Sequence, residues 1–404
     1  MNRYFHPDQS ATSQVLSDLV RELTARGYVV DVICSRQLYD DPSVRLPALE
    51  RALGARIHRV ATTHFGRNHL LGRTFDYATF YVSAAAALMR TLKRGDVLVV
   101  KTDPPLMSLL AAPLAAAKGV SLVNWQQDVF PEIATHLGAN PLPRWLDRLL
   151  RRLRNASLRA SRMNVVIGSR MQDHFVASGI PQSKLCVIEN WADAEAIKPK
   201  AACSSDLRAR LGLADHFVAC YSGNLGRAHE FDTLLSAAQT LNSERNFAFL
   251  IIGGGAKMQA LKRAVADLGL ENFRFLPYQP RESLEDSLAA ADVHLISLLP
   301  TLEGLIVPSK LYGILAAGRP LIFMGDSDGD VARVIGRGEC GITVPVGNGA
   351  ALVDALRHMR AMPQVRAAMG AQARQLLCDK YTLREAVGRW IVLLSAATAP
   401  PSIP

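Results

Sequence analysis

The sequence predicts an α/β protein made of two domains, each with a doubly wound parallel sheet. The chain has 404 residues, which is more than one hydrophobic core usually serves. Short apolar runs alternate with amphipathic stretches in both halves, as in parallel sheets with crossover helices. This alternation breaks over residues 189–205, a polar stretch with alanine and proline. We interpret that stretch as an interdomain linker.

The first half alternates predicted strands and helices. The strands are 29–35, 56–62, 97–101, 121–128 and 164–169, and the helices include 11–26, 76–93 and 106–117. Only "MNRYFHPDQS" precedes the first helix, although the first strand of such a sheet is usually central. We therefore expect either a start site further upstream or a shortened strand at "NRYF".

The second half repeats the pattern and completes two Rossmann-like domains. Its predicted strands are 217–223, 247–255, 273–278, 293–298, 320–325 and 341–346. The expected domains are 1–195 and 196–404, with the C-terminal helix in the second. Ligands of such folds bind where loops leave the carboxyl ends of strands, so a cleft between the domains is expected to hold the substrates.

The composition restricts the class of protein. Hydrophobic residues make up 49% and charged residues 20%, which indicates a globular chain. The net charge of +10 favours phosphates, nucleic acid or an anionic membrane as partners. The six cysteines form no C-x-x-C pair, which argues against a zinc site and is typical of a reducing cytosol. No apolar run reaches membrane-spanning length.

A glycine-containing turn in the second half is a candidate anion site. In "YSGNLGRAHEFDTLLSAA" (221–238), Gly223 and Gly226 would let the backbone approach an anion, beside Arg227 and His229. An ordinary strand–helix turn with a solvated arginine fits this motif equally well. A further cluster, "IIGGGAKM" (251–258), contains Gly254 but lacks the third glycine of a dinucleotide loop. It is therefore weak evidence for NAD.

The stretch "EGLIVPSKLYGILAAG" (303–318) places a cation where it is electrostatically disfavoured. Pro308 is suited to the first helical turn, so Lys310 lies where the helix dipole is already positive. Either the lysine extends into water, or an anion binds there with the help of the Ser309 hydroxyl. Two anion-ready turns indicate a diphosphate between them, and Tyr278 in "FLPYQP" could contact a base.

In their order, these segments resemble the retaining GT-B glycosyltransferases of family 4, nearest to the branch that builds bacterial surface polysaccharides. The matching stretches are "YSGNLGRAHEFDTLL", "LIIGGG", "FRFLPYQPRESLEDSLAAADVHLISL", "VPSKLYGILAAGRPLI", "GECGITVPVGN", "TDPPL", "WQQDVFPE" and "VIENWAD". The resemblance implies a nucleotide-sugar donor in the C-terminal domain. It also implies a glycan acceptor, which we expect to be linked to polyprenyl diphosphate, on the N-terminal domain.

The chain departs from the family pattern at the donor site. Members of the family commonly bind the diphosphate through an arginine and a lysine, but Asn224 and His229 occupy those positions here. Arg227 and Lys310 are the expected replacements. Of the two glutamates that the family has around the "PSK" helix, the second is replaced by Gly313. Glu303 lies two residues before the place of the first, and we retain it as a catalytic candidate.

Two carboxylates of "WQQDVFPE" are candidates for the reaction in the N-terminal domain. Asp128 ends a predicted strand and Glu132 follows a proline turn, so either could accept or position the proton of the acceptor hydroxyl. Glu132 could instead cap the helix that follows. In a retaining enzyme of this type, stabilising the departing diphosphate would be the main electrostatic task. We expect Arg227 and Lys310 to do so without a metal.

A metal site is the alternative at "DSDGD" (326–330). Carboxylates at this spacing can hold magnesium or manganese. The loop also precedes a predicted helix, and helix capping is the preferred interpretation. No cofactor is therefore expected.

An arginine-rich helix is predicted over 144–162. Its main arginines fall within an arc of about 100°; they are Arg144, Arg148, Arg151, Arg152, Arg159 and Arg162. Leu146, Leu149, Leu150 and Leu153 occupy the opposite side. We expect the leucines to pack on the sheet and the arginines to contact an anionic inner leaflet, unless they are merely solvated. The enzyme would then be cytoplasmic and peripheral on the inner face of the membrane.

Three other functions remain open from the sequence. A GT-B nucleotide-sugar epimerase would share the phosphate site but need no lipid acceptor. A nucleic-acid-binding protein would suit the charge, but aromatic residues make up only 6% and do not interleave with the basic run. An NAD-dependent dehydrogenase is the third. The leading prediction is a glycosyltransferase of surface polysaccharide synthesis, without a nucleic-acid partner.

Overall fold

The computed structural model describes residues 1–39, 41, 43–65, 70–138, 143–244 and 246–398. The chain forms two α/β units. The first contains Met1–Glu189 together with the chain from Leu383 onward, and the second contains Asn190–Thr382. Each unit has its own parallel sheet, as the alternating pattern predicts.

The first unit contains two sheets. Its elements are α1 (Ala11–Ala25), β1 (Asp31–Ser35), β2 (Leu49–Ala52), β3 (Ala55–Val60), α2 (Leu70–Thr91), β4 (Val97–Lys101), α3 (Met107–Lys118), β5 (Ser121–Gln126), α4 (Glu132–His136), α5 (Arg144–Ala160), β6 (Met163–Val166), α6 (Ser169–Ala177) and β7 (Leu185–Val187). The order β4-β5-β6-β7 is parallel throughout, and the other sheet has the order β1-β3-β2. The short β2, which is antiparallel to β3, and β7 were not predicted.

Residues 1–3 connect the two sheets of the first unit through backbone hydrogen bonds. The N–H of Asn2 donates to the Ile33 carbonyl, and the N–H of Ser35 donates to the Arg3 carbonyl, at 3.2 and 2.8 Å. On the other side, the N–H of Lys101 donates to the Met1 carbonyl at 3.1 Å. This segment therefore occupies the strand position between β1 and β4.

The second unit is a single six-stranded sheet with helices. Its elements are α7 (Asp206–Arg210), β8 (Phe217–Asn224), α8 (Asp232–Leu241), β9 (Phe247–Gly254), α9 (Met258–Asp267), β10 (Phe273–Leu276), α10 (Leu284–Ala289), β11 (Val293–Ser297), α11 (Lys310–Ala316), β12 (Leu321–Met324), α12 (Asp330–Gly338), β13 (Gly341–Val344), α13 (Gly349–Ala361) and α14 (Pro363–Lys380). All six predicted strands are present, in the order β10-β9-β8-β11-β12-β13.

The strand order of the second unit places a topological switch point between β8 and β11. The chain runs outward from β8 to β9 and β10, and then returns to β11 on the other side of β8. The loops after β8 and β11 therefore lead in opposite directions. Ligands of doubly wound sheets bind at such a point, and the glycine-containing turn 223–229 is one of its two loops.

The last helix, α15 (Leu383–Thr398), belongs to the first unit. Trp390 is buried and packs edge-on against Trp125 of β5, with ring centroids 4.7 Å apart. Arg389 also pairs with Glu189 at 2.8 Å. The structure thus differs from the expected division at 195/196, which assigned the C-terminal helix to the second domain. The aromatic contact with β5 explains the difference.

Candidate functional site

Glycines near the carboxyl ends of β8 and β9 leave stretches of backbone without side chains. Gly223 pairs with Gly253 across the two strands, and both have a positive φ, 127° and 129°. A Cβ at Gly253 would overlap the carbonyl of Gly223. The Tyr278 ring lies against the same backbone, with a ring carbon 3.1 Å from where a Cβ of Gly254 would be. Glycine is required here by both conformation and space.

The ammonium of Lys310 is buried beside this backbone. Lys310 is the first residue of α11, and its Nζ lies 3.5 Å from the centroid of the Tyr221 ring. A Cβ at Gly223 would be 3.7 Å from this Nζ. Among the described residues, the ammonium has no hydrogen-bond partner. Burial holds the pKa of Lys310 well below its usual value. The alternative of a lysine extended into water is therefore wrong.

His229 completes the surroundings of Tyr221. Its ring is edge-on to Tyr221, with centroids 5.8 Å apart, and its Nδ1 contacts the Ser297 carbonyl. A carbonyl only accepts, so Nδ1 carries the hydrogen and Nε2 is left as an acceptor. Burial, followed by the nearby Lys310, lowers the pKa of His229 to about 3. His229 is therefore neutral at pH 7 and does not replace the cation of the family pattern.

The other predicted donor residues lie at the same strand ends. Asn224, the last residue of β8, and Arg227, in the loop that follows, are both exposed. The side-chain oxygen of Asn224 fills the space above Gly255. Lys257 donates to the His229 carbonyl at 2.6 Å. Ser309 is exposed at the start of α11, where its side chain makes no capping hydrogen bond. The structure thus places the buried ammonium of Lys310 beside the glycine-lined strand ends, and the exposed Arg227 in the loop that follows β8.

Glu303 and the acidic loop lie at the start of α12. Glu303 Oε2 accepts a hydrogen bond from the N–H of Asp330 at 3.3 Å, and a Cβ on Gly329 would overlap the Glu303 carboxylate. Asp328 pairs with Arg333 at 3.0 Å. These contacts give Glu303 a helix-capping position. Within the described residues, no group of three or more His, Cys, Asp or Glu side chains could hold a metal ion.

A second candidate region lies at the carboxyl ends of β4 and β5 in the first unit. Asp128 follows β5 and is exposed on one side. Desolvation by the surrounding protein, followed by the neighbouring Asp103, nevertheless raises the pKa of Asp128 to about 6, and Lys101 opposes this rise. A cavity of about 10 Å³, lined in part by Asp128, Met107, Ser108 and Arg154, adjoins it.

Lys101 is a member of this region that the sequence analysis missed. It is 2% exposed, its Nζ donates to the Thr12 carbonyl at 2.9 Å, and it lies 3.9 Å from the Trp125 ring centroid. Burial lowers the pKa of Lys101 to about 7, against the effect of Asp103 and Asp128. The signal was present as a lysine that ends the otherwise apolar run "VLVVK".

Glu132 is fully engaged by basic side chains. Arg154 donates to both carboxylate oxygens at 2.6 and 2.9 Å, and Arg151 lies 2.9 Å away. Burial alone would raise the pKa of Glu132, but hydrogen bonds from His174 and Arg154 hold it at about 2. A carboxylate held in this way is a poor proton acceptor at neutral pH. The geometry favours a role for Glu132, the first residue of α4, in positioning the helices around it.

The arginine-rich helix packs with a different side inward than expected. Arg154, Ser157 and Leu158 are its buried residues. Leu149 and Leu153, which were expected to pack on the sheet, are 43% and 44% exposed. The ion pair of Arg154 with Glu132, and the hydrogen bond from the Ser157 hydroxyl to Ser108 at 2.8 Å, fix this orientation. Among the described residues, no helix is long and apolar enough to cross a membrane.

Two family models match the chain, one for each unit. Residues 10–191 match the glycosyl transferase 4-like domain, and residues 205–376 match glycosyl transferases group 1. Together with the two Rossmann-like units, these matches define an enzyme, a glycosyltransferase with the GT-B fold. The first unit carries the 4-like domain and the second unit the group 1 domain.

Curated relatives support this class. The chain is 27% identical over 316 residues to a probable glycosyltransferase WbjE of Pseudomonas aeruginosa, a match that covers 78% of each chain. It is 26% identical over 331 residues to a putative colanic acid biosynthesis glycosyl transferase WcaI of Escherichia coli K12, covering 78% of this chain and 79% of the relative. Nothing in these comparisons supports an epimerase.

Solved structures agree in fold. A sucrose-phosphate synthase of Thermosynechococcus elongatus superposes with a TM-score of 0.76 at 17% identity, covering 98% of this chain and 96% of the other. The Anabaena protein HepE, solved in complex with UDP-glucose, gives a TM-score of 0.71 at 16% identity, covering 98% of each chain. At these identities the likeness concerns the fold alone.

Proposed function

We propose that this glycosyltransferase binds a nucleotide-sugar donor in its second unit, with the diphosphate at Lys310. The observation that carries the proposal is the buried ammonium without a hydrogen-bond partner. Burying such a charge is unfavourable unless it is paired, and a diphosphate would supply the partner. Arg227 would add an exposed cation, and the glycine-lined strand ends would let the phosphates approach the backbone.

The proposed reaction transfers the sugar to a hydroxyl of a glycan acceptor. The acceptor oxygen bonds to the anomeric carbon as the bond to the donor phosphate breaks, with retention of configuration. Asp128 accepts or positions the hydroxyl proton, because a carboxylate of pKa about 6 is ionised yet basic at neutral pH. Lys310 and Arg227 stabilise the departing diphosphate. The proposal requires no metal.

The pathway and acceptor are inferred from the relatives. WcaI is named for colanic acid biosynthesis, so we infer that this enzyme also acts in surface polysaccharide synthesis. Its acceptor would be a glycan linked to polyprenyl diphosphate, reached from the cytoplasmic face of the membrane. UDP-glucose is bound by HepE, whereas a Mycolicibacterium smegmatis relative is named as GDP-mannose-dependent. A donor screen must therefore include both bases.

A thermal-shift screen against UDP-, GDP-, ADP- and dTDP-sugars tests the proposal. A ligand stabilises the protein according to the logarithm of its saturation, so one donor is expected to raise the melting temperature. Arg227→Ala should reduce this shift. Arg263→Ala, which removes an exposed arginine of α9, is the matched control and should respond like the wild type.

Three outcomes would contradict the proposal. The first is that no nucleotide sugar stabilises the wild type at millimolar concentration. The second is that a donor is converted to a free epimerised nucleotide sugar without any acceptor, which would revive the epimerase. Stabilisation by NAD or by RNA alone would likewise exclude the proposed donor site.

A further inference from the structure

Three helices of the first unit share an outer surface that the donor chemistry does not explain. α3 packs between α2 and α5, and α2 and α3 share a hydrophobic core with β4. Every exposed residue described on these helices is apolar, threonine or arginine, and none is a carboxylate. We call this surface the α2–α3–α5 face.

α2 exposes an apolar stripe. Phe75, Ala78, Val82, Ala86 and Met89 are exposed and recur at intervals of three or four residues, so they lie along one side of the helix. Phe75 is 60% and Val82 72% exposed. An uncovered apolar stripe of this length on a protein surface usually marks an interaction site.

α5 adds an arginine stripe beside a second apolar stripe. Arg144, Arg148, Arg152 and Arg159 are all exposed and fall within about 80° at about 100° per residue. The apolar stripe lies directly next to them and consists of Trp145, Leu149, Leu153, Ala156 and Ala160. Trp145 is 67% exposed. An exposed tryptophan bordered by arginines is typical of a helix that lies in a membrane interface.

Charge decides between a bilayer and a second copy of this chain. A symmetric pair built through this face would place the same surface on both partners, so arginines would oppose a face without exposed carboxylates. Like charges juxtaposed in this way oppose association. Anionic lipid headgroups instead attract each arginine, and the apolar stripes can enter the boundary between headgroups and acyl chains.

We propose that the α2–α3–α5 face docks on an anionic lipid bilayer, with its apolar stripes inserted and the α5 arginines on lipid phosphates. The inference rests on the proposed function, because a lipid-linked acceptor is presented at a bilayer surface. α3 and α5 also line the small cavity beside Asp128, through Met107, Ser108 and Arg154. The docking surface and the candidate acceptor region are thus built on the same helices.

Vesicle flotation of the full chain tests the docking surface. The wild type should float with phosphatidylcholine vesicles that contain phosphatidylglycerol, much less with phosphatidylcholine alone, and less at high salt. Arg148→Gln/Arg152→Gln should weaken binding by about fivefold per arginine. Val82→Ser should weaken it several-fold at either salt concentration.

Matched controls lie on other helices. Val392 of α15 is also 72% exposed, and Arg263 of α9 is exposed, so Val392→Ser and Arg263→Gln should bind like the wild type. Unchanged melting temperatures establish that the variants are folded. The proposal would be overturned if the wild type does not bind the vesicles. It would also be overturned if Arg148→Gln/Arg152→Gln and Val82→Ser bind them as well as the control variants do. A dimer in sedimentation velocity that Val82→Ser dissociates, without vesicle binding, would assign the face to a second copy.

Nucleotide-sugar stabilisation of the same samples separates the two proposals. If the melting shift persists while vesicle binding fails, only the docking surface is wrong. If the wild type binds vesicles but no nucleotide sugar stabilises it, the docking surface stands and the proposed function is wrong.

Discussion

At the scale of single residues, Lys310 places a charged group where its burial lowers the stability of the folded protein. Its ammonium has the face of Tyr221 as a neighbour but no hydrogen-bond acceptor in the part of the chain that the structure describes. A cation over an aromatic ring recovers only part of the lost hydration. Residues under such strain are typical of functional sites, since natural proteins retain them for binding or catalysis.

Lys310→Met should therefore raise the melting temperature of the unliganded enzyme. Methionine has a side chain of similar shape but carries no charge that burial would desolvate. The unfolded chain binds more protons at this site than the folded one, so wild-type stability increases as the pH rises toward the usual lysine value of 10.5. The difference between variant and wild type should consequently shrink in that direction. Melting curves from pH 7 to 10 measure it, and a variant less stable than wild type at pH 7 would contradict this description of the lysine.

Asp128 should determine the acid limb of activity. With a pKa of about 6, its carboxylate is ionised above that pH, so kcat/KM should fall about tenfold per unit below it. Asp128→Asn should reduce kcat by about 10²- to 10⁴-fold and remove the inflection. A pH–rate profile of both proteins checks this. An unchanged inflection in the variant would assign the acid limb to another group.

At the scale of elements, Glu132 joins α4 to α5 and α6 through Arg154, Arg151 and His174. Glu132→Gln leaves the buried Arg154 without its counter-charge and should destabilise the first unit by about 3–5 kcal/mol. The folded pKa of about 2 lies below the usual value of 4.5. The stabilisation is therefore complete above pH 4.5 and is lost as the pH falls toward 2.

Urea unfolding between pH 3 and 7 measures this effect. The variant should lose most of the acid sensitivity that Glu132 contributes. Glu189→Gln is the matched control, because Glu189 forms a more exposed pair with Arg389 that should contribute about 0–1 kcal/mol. Equal losses in the two variants would show that the Glu132 network has no special structural role.

The same elements show what the sequence could and could not predict. The six strands of the second unit follow from short apolar runs, and the turn after β8 follows from its glycines, because both signals are local. The assignment of α15 to the first unit depends on the contact of Trp390 with Trp125. The orientation of α5 depends on the ion pair of Arg154 with Glu132. Contacts between residues so distant in the chain leave no local pattern, so the predictions for these two helices differ from the structure.

The same difference between local and long-range signals applies to the residues of the candidate site. Lys310 was predicted from the cation at a helix start, and the structure explains its position by burial on Tyr221. His229 was predicted beside it, but its neutrality arises from burial and from the nearby Lys310, both of which lower its pKa and which the motif does not reveal. Lys101 was missed because its burial depends on Thr12 and Trp125, which are distant in sequence.

At the scale of the whole molecule, each unit supplies one part of the proposed reaction. In that proposal the second unit would contribute Lys310 and Arg227 as the cations at the departing diphosphate, and the first unit would contribute Asp128. The proposal assigns the stabilisation of the diphosphate to these side chains and not to a metal, so EDTA should leave the transfer rate unchanged. Magnesium or manganese added after EDTA should likewise leave the transfer rate unchanged. A loss of activity in EDTA that these ions reverse would show that a metal is required.

Calorimetric titration of nucleoside diphosphates tests the central claim most directly, because it measures the diphosphate contact without the sugar or the acceptor. The wild type should bind UDP or GDP more tightly than the corresponding monophosphate. Lys310→Met should weaken the diphosphate by about ten- to a hundredfold, whereas Lys198→Met, at an exposed lysine of the same unit, should bind like the wild type. Equal affinities of all three proteins for the diphosphate would contradict its placement at Lys310.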